Sequence, residues 1–178
     1  MAASHDIHGA RTMHPPSPHA ATPRFFSLAY AAFTAAAAVV AAAASAMALV
    51  LELPVWAMFV GWVAFYTRGA TARDGVFNLV CVSLGLLIGK GAALAIAALA
   101  PIAGAAALPV VVLFVALLVV SMRSVPRLNN LLCYFLGLIA FFAVHQPPSL
   151  SLFATLAGAA ALGSMAAWVA HLLQRRVR

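Results

Sequence analysis

The sequence predicts an all-α polytopic membrane protein, with six transmembrane helices arranged as two inverted three-helix repeats. Three observations predict it. Of 178 residues, 66% are hydrophobic and 7% are charged, against about 45–50% and about 25% in soluble domains. Apolar stretches recur at about 25–50, 53–66, 76–100, 106–122, 129–144 and 150–172, with the lengths expected of membrane-crossing or nearly crossing helices. The pattern Phe-x-Gly-x-x-Ala-Phe occurs twice, at 59–65 and 135–141, an offset of 76 residues that marks an internal repeat.

Residues 1–24 contain Pro15, Pro16, Pro18 and Pro23 and four of the six histidines, His5, His8, His14 and His19. No apolar run is present, so a disordered cytoplasmic tail is expected. Its histidines have no fixed geometry or supporting shell, and no metal site is assigned. The first repeat is expected over 25–100, the second over 101–172 and a basic cytoplasmic end over 173–178. Within segment 1, Ala44-Ser45-Ala46 resembles a signal-peptidase site, but the apolar run continues to Leu51 and cleavage would spoil the three-plus-three arrangement.

Segments 2 and 5 are the middle ones of their halves and carry about 14 strongly apolar residues each, about 21 Å of helix against a hydrocarbon core near 30 Å. Paired short segments in matching positions point to a substrate site between repeats, because the helix ends fall at membrane depth and need protein or water around them. Tilt mismatch in a simple bundle is the competing explanation. Phe59, Gly61 and Phe65, with Phe135, Gly137 and Phe141, are therefore candidates either for a solute pathway or for close helix packing. On the pathway reading Gly61 and Gly137 approach one another near the midplane.

Lys90 lies about 14 residues into segment 3, where a lysine costs about 2.5–3.5 kcal/mol on insertion scales. It requires a snorkelling route, an ion pair with Glu52 at the outer end, or a place on a solute or proton pathway. Asn129 and Asn130 open segment 5 and are expected to cap it. Gly85-x-x-x-Gly89, continued by Gly91, reads as a small-residue packing face, within the chain or in a homo-oligomer. Trp56, Tyr30, Tyr66 and Trp168 fit interfacial anchors. Cys81 and Cys133 read as packing residues, and His145 and His171 as exposed bystanders.

Charge sets the orientation. With both termini cytoplasmic, the inner side receives Arg11, Arg24, Arg68, Arg73, Arg123, Arg127, Arg175, Arg176 and Arg178, and the outer loops receive no Lys or Arg. A rival topology, with segments 2 and 5 re-entrant, would leave Arg68, Arg73, Arg123 and Arg127 outside. Three crossings per half, an odd number, make the repeats inverted. The net charge of +7 comes from arginines placed singly at helix ends, a pattern that argues for orientation and against nucleic-acid binding.

The run Leu53-Pro54-Val55-Trp56-Ala57-Met58-Phe59-Val60-Gly61-Trp62, then Gly69, Val125-Pro126, Phe135-x-Gly137 and Phe141, resembles the YcdZ-like family of small bacterial inner-membrane proteins, a domain of unknown function (family 1097). The resemblance covers about residues 30–172. The family's second motif places its proline close to Phe-x-Gly, whereas here residues 127–134 intervene. It implies a bacterial inner-membrane protein and carries no substrate, cofactor or catalytic residue. The acidic residues, Asp6, Glu52 and Asp74, lie in tail or loops, and no catalytic constellation is seen, so an enzyme is not expected. Two readings stand: a channel or transporter for a small, weakly polar solute with its site between the repeats, or a non-transporting scaffold or regulatory partner subunit in the lipid bilayer.

Overall fold

The structure is a computed structural model, in which residues 28–176 are described. The tail expected over 1–24, its histidines and Arg178 lie outside the described residues. The described residues form α1 (Leu28–Val50), α2 (Val55–Tyr66), α3 (Ala72–Ala103), α4 (Ala107–Ser121), α5 (Leu131–Ala143) and α6 (Leu150–Arg176). The chain is all-helical over this range, with short 3₁₀ turns at Gly104–Ala106 and Met122–Ser124. Three helical stretches, Tyr30–Val50, Ala72–Ser124 and Leu150–Arg176, are long and apolar enough to cross a membrane. The second comprises α3 and α4, and the apolar α2 and α5 are shorter. This composition marks a membrane-embedded helical protein.

Local chemistry sets the helix ends. At the end of α1, Leu53 N–H bonds to Ala48 O at 2.8 Å and Glu52 N–H to Leu49 O at 3.1 Å. With Glu52 at φ 55, this is a Schellman stop, and Pro54 follows it. Thr71 caps α3 by accepting from Asp74 N–H at 3.1 Å, which starts that helix four residues before its apolar run. α3 continues through Pro101 and stops at Gly104, φ 52. Ser149 Oγ accepts from Leu152 N–H at 3.0 Å and opens α6.

Two crossings hold the molecule together: α2 lies along α6, and α5 lies along α3. At the first, a β-carbon on Gly61 would run into the Ala160 carbonyl, and one on Gly163 into the Met58 carbonyl. At the second, a β-carbon on Gly137 would meet the Val82 carbonyl, and one on Gly85 the Tyr134 carbonyl. Backbone thus rests on backbone, the close approach that small residues permit in membranes. Met58, Phe65, Leu156 and Ala160 are buried at the first crossing, and Val82, Leu86, Tyr134 and Phe141 at the second. α1 packs on α6 and α4 on α3, each leaving much of its apolar face outward.

Candidate functional site

The loop leaving α2, the start of α3 and the start of α5 meet in a polar cluster. α2 ends where Thr67 turns its hydroxyl back to donate to Ala64 O at 2.7 Å. Gly69 then takes φ 65, where a β-carbon would strike the Asp74 carboxyl group; a residue with a side chain would be strained there and would have to displace Asp74. The turn returns the chain to α3 and brings Asn78, fully buried, beneath the end of α2.

Asn78 Nδ2 donates to Arg68 O in the loop at 3.1 Å and to Phe65 O, at the end of the short helix, at 3.4 Å. Asn130 Nδ2 donates to Asn78 Oδ1 at 2.8 Å and to Thr67 Oγ1 at 2.7 Å. The Cys133 thiol lies 3.2 Å from Thr67 Oγ1. Arg68 donates through Nη1 to Asn129 Oδ1, and through Nη2 to Arg127 O at 2.8 Å. Every bond from Asn130, Asn129 and Arg127 to residues 67–78 joins the second half of the chain to the first.

This corrects the expected role of the asparagines. Asn130 does occupy the N-cap position of α5, but its side chain makes no capping bond; its amide group instead donates to Asn78 and Thr67 across the chain. Asn129 serves Arg68 instead. The Tyr134 hydroxyl is buried in the same region, without a hydrogen-bond partner among the described residues. Beside the cluster, Arg68, Arg73, Asp74, Phe77 and Arg127 line an open cleft of about 360 Å³.

The repeated motif is placed alike in its two copies. Phe59 and Phe135 are 40% and 41% exposed, whereas Phe65 and Phe141 are 1% and 3% exposed. Phe65 packs edge-on to Tyr66, ring centres 5.0 Å apart, and Phe141 lies against Gly89. Gly61 and Gly137 do not meet: the first is seated on α6 and the second on α3. Each glycine faces the helix that its own helix crosses, which draws the two apart.

Glu52 and Lys90 are not brought together either. Glu52 is exposed in the turn between α1 and α2, Lys90 is half-buried on α3, and among the described residues no ion pair joins them. The physical reason is the packing: α1 and α2 are drawn to α6, while the Lys90 stretch lies beside α5 through Gly89 and Phe141.

Apolar grooves occur elsewhere. One of about 240 Å³ between α3 and α6 includes Phe65, Leu79, Ser164 and Trp168. Another of about 260 Å³ between α3, α4 and α5 includes Phe135, Leu138 and Phe142. Gly61, Gly137 and Lys90 line neither. Tyr66, expected as an anchor, donates its hydroxyl to Ala167 O at 3.1 Å and so fastens α2 to α6. His145 places Nδ1 2.9 Å from Ala143 O at the end of α5.

Thr67, Asn78 and Tyr134 escaped the sequence reading. Asn78 carried a usable signal, an amide within an apolar helix that must find partners in hydrocarbon. Thr67 and Tyr134 had none, since neither type is unusual at a segment end. The recurrence of Phe-x-Gly in these settings agrees with a comparison of whole sequences, in which residues 27–171 match the family described as protein of unknown function, DUF1097. The chain belongs to the DUF1097 family. Comparison with curated proteins and with solved structures finds no match, so membership of DUF1097 brings membrane-type apolar helices into a family context without a reaction or ligand.

Proposed function

We propose that this DUF1097 chain is a multi-pass bacterial inner-membrane protein whose six helices form two inverted repeats, 25–100 and 101–172, and that it serves as a non-transporting scaffold or partner subunit. The observation that carries the functional part is the seating of both motif glycines on neighbouring backbone. A solute route between the repeats would have to part Gly61 from α6 or Gly137 from α3.

Packing supports the repeat. Exchanging α1 with α4, α2 with α5 and α3 with α6 turns the α2–α6 crossing into the α5–α3 crossing, and the α1–α6 contact into the α4–α3 contact. The correspondence reaches single residues. Gly61 on Ala160 becomes Gly137 on Val82, and Gly163 on Met58 becomes Gly85 on Tyr134.

Orientation follows from the arginines. The bonds from Arg68 to Asn129 and Arg127, and from Tyr66 to Ala167, gather the α2–α3 loop, the α4–α5 link and the last part of α6 at one end. That end carries Arg68, Arg73, Arg123, Arg127, Arg175 and Arg176. The turn 51–54 and the loop 144–149 have no Lys or Arg, so the basic end faces the cytoplasm. α2 and α5, of 12 and 13 residues, span about 18 and 20 Å, short of a core near 30 Å. Asn78, Thr67 and His145 meet the Phe65, Ala64 and Ala143 carbonyls at the ends of these short helices.

The test is flux. Purified protein in liposomes should give no permeability above empty vesicles for urea, short amides or polyols. Wild-type flux that Gly61→Leu removes while folding is retained would establish the transport reading instead.

A further inference from the structure

We propose that the cleft between the α2–α3 loop and the α4–α5 link is a phosphate-binding site, taking the phosphodiester of an anionic phospholipid or a free phosphate ion. Three arginines, Arg68, Arg73 and Arg127, line one opening of about 360 Å³ together with Phe77. The one carboxylate there is Asp74. It is engaged by the Thr71 hydroxyl at 2.8 Å, and among the described residues it forms no salt bridge with the arginines. The cleft therefore keeps an excess of positive charge.

The arrangement is built in advance of any ligand. Arg68 is held by Asn129 Oδ1 and by Arg127 O, bonds that use two of its five N–H donors. Arg127 adopts φ 70, a left-handed conformation that a residue with a side chain adopts at some cost. That turn aims its carbonyl at Arg68 and places its own side chain on the cleft wall. Planar guanidinium groups, of which that of Arg68 is held in place, match the geometry of phosphate oxygens, and basic pockets between helices at a membrane surface suit lipid headgroups. The lipid source rests on the membrane reading above; the phosphate chemistry does not.

The experiment is native mass spectrometry and thermal unfolding of the full chain in neutral detergent, with phosphatidylglycerol, phosphatidylcholine and inorganic phosphate as separate probes. The cleft variant is Arg73→Gln with Arg127→Gln, which leaves the Arg127 carbonyl in place. The control is Arg175→Gln with Arg176→Gln, the same charge change at the end of α6. Phosphatidylglycerol affinity should fall about thirtyfold in the cleft variant, the effect of two arginines near an anionic surface, and change little in the control. Stabilisation by inorganic phosphate without selective lipid retention, lost in the cleft variant alone, identifies a free anion as the ligand. Equal loss in both variants, or loss in neither, overturns the site. A failed membrane reading would appear separately, as wild-type protein released from membranes by alkaline carbonate.

Discussion

At Gly61 and Gly137 the neighbouring helix leaves no room for a β-carbon, so a single methyl group must separate two helices or bend one. Gly61→Ala and Gly137→Ala should each destabilise the folded protein by about 1–3 kcal/mol, the range for overpacking, in a denaturant titration in detergent. Gly91 has nothing within 4 Å of where a β-carbon would stand. Gly91→Ala should therefore be neutral or stabilising by about 0.5–1 kcal/mol through helix propensity. Equal costs at all three would show that close approach is not what these glycines provide. The buried amides give a second residue-scale prediction. Asn78→Leu and Asn130→Leu should each cost about 1–3 kcal/mol, and because the two share a hydrogen bond, the double variant should cost less than their sum by about 0.5–3 kcal/mol.

Among the elements, the apolar runs already located each helix, because an uninterrupted run between proline or charge is a strong signal in a chain this apolar. The ends were harder to read. α3 begins at Ala72, within what read as loop, since Thr71 and Asp74 form a cap whose residues look polar in sequence. The third apolar stretch read as ending at 100, yet α3 passes Pro101 before stopping at Gly104, the residue whose positive φ ends the helix. The repeated motif was legible as a pattern, but which helix each glycine touches depends on crossings between distant segments, which no local pattern encodes. The cluster of Thr67, Asn78 and Asn130 joins residues more than 50 apart and was invisible for the same reason. Cys81 and Cys133 lie behind these crossings, both fully buried. They should resist a membrane-permeant maleimide in folded wild type and react after denaturation in SDS. Gly137→Leu, which parts α5 from α3 where both cysteines lie, should expose them without denaturant, and rapid labelling of folded wild type would contradict the closed crossing.

In the whole molecule the two halves exchange partners: α2 of the first lies on α6 of the second, and α5 of the second on α3 of the first. Neither half completes its core alone, since Gly61 and Gly137 each find their contact in the other half. The inversion of those halves is the central claim, and the rival is a pair of re-entrant segments. Side-specific labelling of single added cysteines in intact cells separates them, with the buried native cysteines as a silent background. An impermeant maleimide applied from outside should label Glu52→Cys and Gln146→Cys. It should label Ala70→Cys and Ser124→Cys only after permeabilisation. Labelling of Ala70→Cys and Ser124→Cys from outside, together with Glu52→Cys, would make α2 and α5 re-entrant and contradict the inverted repeat.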